Sequence, residues 1–207
     1  MKYGLTLVSA PAEEPVSLSE IKAHLYVSDD VSNSTLTSQI IAAREYVENQ
    51  TARQLVTATW EASWDRFPGY GEDDIRPVGW RFGTIRVPRS PLQSVTSLKY
   101  LDTDAVLQTL ATSEYQVSTR TDPGRIAPAR LKVWPITDPY SFDSVRVVFV
   151  AGYGAASAVP ARLKQAIKLL VGHLHENREA TITETVEREI PLGLKTFILS
   201  CAVGEYV

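Results

Sequence analysis

One cysteine, one methionine and three histidines in 207 residues close off several classes of chemistry before any motif is sought. Cys201 has no partner for an intrachain disulfide, so the chain must be held by its core and reads as made in a reducing compartment. Its plain reading is a small apolar residue of the last helix. His173 and His175 stand two positions apart, about 200° around a helix, so their rings point to opposite sides. A zinc-binding helix needs its histidines four apart, and His24 is alone, so no metal site is assigned. A Gly-x-Ser-x-Gly elbow, a Walker loop and a Cys-x-x-Cys pair are all missing. No apolar run approaches the ~18 residues of a membrane span, since Lys164 and Lys168 interrupt the best candidate. Residues 1–12 hold one lysine and an apolar run shorter than the ~7–15 residues of a signal-peptide core, and are expected to form an N-terminal arm of a soluble protein. An excess of positive charge is lacking too. The formal net charge of −3 gives no bulk attraction to nucleic acid or anionic lipid.

What is present is a composition of 44% hydrophobic and 22% charged residues, enough for a sizeable core in one domain or two small ones. Ser17 and Glu20 have the spacing of a capping box and predict a short helix ending near Val27. Asp29, Asp30, Ser32 and Asn33 offer N-caps for a second helix, in which Leu36, Ile40, Ala43 and Val47 recur at helical spacing. From Thr57 the period changes to two, with Trp60, Ala62 and Trp64 on one face and Glu61, Ser63 and Asp65 on the other. Residues 67–83 read as a long exposed loop. Strands are predicted at 84–87, 94–101, 105–110 and 115–118, with Asp102 to Asp104 turning one hairpin. A short strand is expected at Leu131 to Trp134, while prolines 128, 135 and 139 favour edge or loop. Val145 to Val150 reads as a well-buried strand. Pro160 then opens an amphipathic helix with Leu163, Ile167, Leu170 and Leu174 on one face and Arg162, Lys168 and His175 opposite. After a charged connection at 180–189, Pro191 opens a last helix from Leu192 to about Ala202. The segregated order implies an α+β fold: a helical bundle formed by the N- and C-terminal helices (1–55 and 157–207) with an inserted antiparallel β domain (56–156).

Two constellations invite chemistry. Gly152-Tyr-Gly154 sits between strand and helix, where a dinucleotide-binding loop would lie. Ser157 replaces the third glycine and Pro160 starts the helix too late to wrap a pyrophosphate, so these glycines read as conformational joints permitting positive φ. Arg76, Arg81, Arg86 and Arg89, close to Trp80 and Phe82, have the chemistry to touch a phosphate backbone, but such residues more often line a protein interface or a solvated strand face. No catalytic residue and no cofactor is assigned.

Ordered segments carry a resemblance: Glu14-Pro-Val-Ser-Leu-Ser-Glu-Ile-Lys-Ala-His-Leu25, Ile40 to Glu48 with Thr51 to Leu55, Arg86-Val-Pro-Arg-Ser-Pro-Leu-Gln-Ser-Val95, Ala151 to Gly154, Val159 to Ile167, His175 to Glu179 and Pro191-Leu-Gly193. In this order they resemble the head-tail connector (portal adaptor) proteins of long-tailed phages, prophages and gene transfer agents. The resemblance implies a non-enzymatic virion subunit, made in the host cytoplasm, that assembles as a homo-oligomeric ring, usually dodecameric, under the portal protein. Such a ring extends the DNA channel without sequence-specific binding, docks a stopper or tail-completion protein, and involves no membrane. On this reading Leu194 to Val207 is a portal-contacting arm, with Leu194, Phe197, Ile198, Glu205, Tyr206 and Val207 at the contact, and Arg162, Lys168 and His175 face a neighbouring subunit. A small soluble enzyme with a site in the β-domain loops and a monomeric neck-assembly factor are the alternative readings.

Overall fold

The computed structural model describes residues 3–28, 33–69, 83–176 and 192–203. The chain is α+β, as its segregated pattern requires, and divides into two compact units. One holds residues 1–10 and 57–152, the other residues 11–56 and 153–207.

The first unit is built on a five-stranded antiparallel sheet in the order β1 (Gly4–Ser9), β2 (Ala58–Trp64), β8 (Val145–Ala151), β4 (Leu92–Leu101) and β5 (Leu107–Thr109). A three-stranded antiparallel sheet, β3 (Ile85–Arg86), β7 (Arg125–Pro128) and β6 (Tyr115–Ser118), completes it. The β-branched run at 145–150 occupies the central strand of the sheet. Val145, Val147, Phe149 and Ala151 are buried in strict alternation and join Ala62, Trp64, Phe67, Leu98 and Ile126 in one core. The expected N-terminal arm is instead an edge strand, pairing Gly4 with Ser63 through Leu7 with Trp60. Its alternation is too short and too exposed to be distinct in the sequence.

The strand expected at Leu131 to Trp134 does not form. Lys132 N–H closes a turn on Ala129 O at 3.0 Å, and Leu131 takes a positive φ of 65°, which no extended strand accommodates. The nearby strand is β7, central in its sheet, with Pro128 as its last residue, where a missing N–H costs least.

The second unit packs α1 (Leu18–Leu25), α2 (Asn33–Thr51), α3 (Ala161–Glu176) and α4 (Leu192–Leu199) around one core. The Ser17 hydroxyl accepts from Glu20 N–H at 3.2 Å and the Glu20 carboxylate accepts from Ser17 N–H at 2.9 Å, the reciprocal capping box read from the spacing. Such a cap contributes about 1 kcal/mol. Leu36, Ile40, Ala43 and Val47 of α2 and Leu163, Ile167 and Leu170 of α3 are all buried, so the helical periodicity identified the core-facing stripes. The N-cap candidates at 29–32, most of the loop at 67–83 and the connection at 180–189 lie outside the described residues. Gly152 and Gly154 adopt φ values of 128° and 121° between β8 and a short 3₁₀ turn at Ala156–Ala158, the backbone role expected of them.

Candidate functional site

Charged groups in the helical unit are organised to fix chain segments. Near the end of α2, the buried Glu48 carboxylate accepts from Arg44 Nη1 at 2.9 Å, Gln54 Nε2 at 2.8 Å and Leu55 N–H at 2.9 Å. Arg44 Nε also donates to Glu14 at 2.8 Å. Burial works against the Arg44 charge, but Glu48 and Glu14 outweigh it and raise the guanidinium pKa above its ordinary value. Arg53 carries the arrangement to the C-terminal segment: its Nε donates to Cys201 O at 2.8 Å and its Nη1 to Tyr153 Oη at 3.0 Å. Val203 N–H donates to Thr51 O at 3.0 Å. These groups clamp residues 52–56 and 201–203 against α2, and their hydrogen bonds run to one another and to the backbone of Leu55 and Cys201.

This anchoring changes the reading of the last helix. Leu194 and Ile198, expected at a portal contact, are buried in the chain's own helical core with Cys201, and Phe197 packs partly against it. A helix that supplies its own bundle with core residues cannot also offer them to a partner. Glu205, Tyr206 and Val207 lie outside the described residues.

The three residues assigned to a subunit contact do not share one open stripe. Arg162 is exposed, whereas Lys168 is partly buried and its Nζ lies 3.3 Å from Glu20 Oε1 on α1. His175, the penultimate residue of α3, is partly buried as well. Steps of six and seven residues separate the three, placing Arg162 more than 100° from the other two around the helix. Glu20 titrates below its ordinary value because Ser17 N–H donates to it, with Lys168 adding to the effect.

Of the arginines weighed for phosphate contact, Arg76 and Arg81 lie outside the described residues, as do Trp80 and Phe82. Arg86 lies in β3, and the Arg89 guanidinium sits 5.1 Å from the Trp60 ring centroid, a cation–π contact within the β unit. Among the described residues, no group of three or more His, Cys, Asp or Glu is placed to hold a metal ion, and no helix is long and apolar enough to cross a membrane.

The most unusual surface was not legible in the sequence. Between β7 and β8 the chain forms an irregular strap in which Leu131, Val133, Ile136, Tyr140 and Phe142 are each between 68% and 96% exposed. Trp134 points inward, stacks on Phe67 at 4.6 Å between ring centroids, and donates from Nε1 to Gly83 O. Gly83 has a φ of +68°, and a Cβ there would lie 2.2 Å from Pro68 O and 2.6 Å from the Trp134 ring, so only glycine fits. Asp138 pins the other half. Its carboxylate accepts from the Ser141 hydroxyl and from Tyr140 N–H at 3.0 Å, which lowers its pKa, and its N–H donates to Leu101 O at 3.2 Å. Lys132 pairs with Glu114 at 3.1 Å. The strap is thus held from several sides while its apolar side chains face outward. The available signal was a run of apolar residues interrupted by prolines 135 and 139, which no regular element can bury.

The sequence matches no protein-family model and no curated protein sequence. Solved structures do share its fold. One is a chain from the neck of an empty gene transfer agent (GTA) particle computed with C6 symmetry, with a TM-score of 0.71, 22% identity, and 97% of this chain and 95% of that one covered. A second, from the virion of a native GTA particle, has a TM-score of 0.71 and 22% identity over 96% and 95% of the two chains. A third, from the neck of a native GTA particle computed with C12 symmetry, has a TM-score of 0.66 and 23% identity over 97% and 95%. From end to end, the chain has the fold of a chain found in the neck of gene transfer agent particles.

Proposed function

We propose that this chain is a structural subunit of the neck of a phage-like particle, a head-tail connector that assembles as a ring, of twelve copies, beneath the portal. In that place it extends the DNA channel and docks the stopper or tail-completion protein. The observation that carries the reading is the fold likeness to neck chains over 97% of this chain, in particles computed with C6 and C12 symmetry. A subunit of such a ring works by geometry rather than by reaction, and the polar network around Glu48 suits this because it rigidifies the bundle. A net charge of −3 also suits a channel that must pass DNA without holding it.

Within this reading, portal contact is assigned to Glu205, Tyr206 and Val207 together with Phe197, since Leu194 and Ile198 are committed to the core. The helical share of the subunit contact is assigned to the side of α3 that carries the exposed Arg162. Mass measurement and negative-stain imaging of the purified protein, alone and mixed with portal rings, test the proposal. Rings or portal-bound collars are expected, and a protein that neither forms rings nor binds the portal would overturn it. Deleting residues 204–207 is expected to weaken portal binding at least tenfold while the thermal melt stays unchanged.

A further inference from the structure

We propose that the strap at residues 131–142 is a ring contact, seated on the uncharged outer edge of β1 in the next copy of the same chain. The inference rests on the ring reading and adds to it the surfaces that meet. The strap gathers five large apolar side chains, each between 68% and 96% exposed, on one twelve-residue segment, and exposed apolar surface concentrated in this way marks an interaction site rather than ordinary scatter. The strap is also preorganised: Trp134 is locked between Phe67 and Gly83, and Asp138 holds Tyr140 and Ser141. Little ordering entropy remains to be lost on binding, which is what a surface made to meet another folded surface requires.

The occupant follows from the second unprotected surface of the same unit. Strand β1 is an outer margin of the five-stranded sheet, and residues 3–9 carry neither charge nor proline, two protections an edge strand ordinarily has. Leu7 and Val8 are 44% and 57% exposed, and the register shift between Leu7 and Ser9 leaves Val8 without a cross-strand partner. The strap is anchored through Asp138 to Leu101 of β4, on the opposite side of the central strand from β1. A two-fold dimer needs one self-complementary patch, whereas a head-to-tail ring needs two different patches on different sides of each subunit. This unit supplies two, both apolar. The chains that share its fold come from necks computed with C6 and C12 symmetry, and a cyclic arrangement of that order is closed by head-to-tail contacts.

The test uses the full-length chain, with portal rings as template, read by mass and imaging. Ile136→Lys with Tyr140→Glu is expected to leave the thermal melt unchanged and to raise the concentration needed for rings at least tenfold. Val8→Lys should do the same from the other surface. Mixing a Val8→Cys chain with an Ile136→Cys chain should give a disulfide-linked pair under mild oxidation that neither variant gives alone, and Cys201, being buried, leaves the readout clean. Normal rings from the strap variant overturn the inference while leaving the ring reading intact. So do rings that form normally but no longer capture a stopper protein, since the strap would then face another protein. Links within a single variant overturn it in favour of a two-fold contact. If the unaltered chain forms no ring with or without the portal, the ring reading itself falls and this inference with it.

Discussion

Glu48 concentrates the electrostatics of the helical unit in one buried side chain. Its two oxygens serve Arg44, Gln54 and the Leu55 N–H, and Leu55 O in turn accepts from Tyr153 N–H at 3.0 Å. Removing one member of a buried, hydrogen-bonded pair costs more than the pair contributes, because the other charge and the N–H remain desolvated. Glu48→Ala is therefore expected to cost about 3–5 kcal/mol in urea denaturation. Glu48→Gln, which keeps an acceptor for Leu55 N–H but no charge for Arg44, should cost clearly less. Equal losses for the two would mean that the carboxylate charge carries the whole effect and that a neutral acceptor at this position contributes nothing. The fold makes Glu48 a buried anchor by bringing residues 54 and 55 back onto the end of α2, a meeting that the i, i+4 spacing of Arg44 and Glu48 does not itself specify.

The strap is the element on which local pattern and tertiary outcome diverge most. Alternating Leu131, Val133 and the following apolar residues resemble a strand, but the turn at Ala129 to Lys132 and the prolines turn the run into a fixed loop. Its fixing through Asp138 gives a pH dependence with a definite sign. Hydrogen bonds to its charged form hold Asp138 below the ordinary carboxylate value of about 3.9. A lowered folded-state pKa means that the stabilisation is complete above the unfolded value and is lost as pH falls through the folded one. The protection of the amides of residues 140–144, taken as the ratio of the intrinsic to the observed exchange rate at each pH, should accordingly be constant from neutral pH down to about pH 4 and fall below it. In Asp138→Ala the same amides should exchange fast at every pH, and a profile like that of the unaltered chain would show that Asp138 does not hold the strap.

For the whole molecule, the helical and β units pose separate assembly questions that charge placement can separate. Arg162 is exposed at the start of α3, while Lys168 is engaged with Glu20, so reversing both together would disturb the bundle as well as its surface. Arg162→Glu alone is the cleaner variant. It is expected to leave the melting temperature within about 1 °C, since exposed single substitutions rarely exceed ±0.5 kcal/mol, and to lower ring yield on the portal several-fold at low salt. The difference should shrink at high salt as screening removes the contribution of a surface charge. Unchanged yield at low salt would remove the start of α3 from the subunit contact.

By itself the sequence determined what depends on short-range geometry. Period two marked β2, a continuous β-branched run marked β8, period 3.6 marked the buried stripes of α2 and α3, and a serine three residues before a glutamate marked the cap of α1. The α+β class followed from the order of those periods. The tertiary structure decided what depends on which distant segments meet. It paired residues 4–9 with β2 as an edge strand, placed β8 at the centre of its sheet, and drew Leu194 and Ile198 into the bundle rather than leaving them for a partner. It also turned Trp134 inward while its neighbours faced out. A side chain's type is local, but its exposure depends on the rest of the chain folding against it, and the surfaces through which copies could assemble are defined by what that folding leaves uncovered.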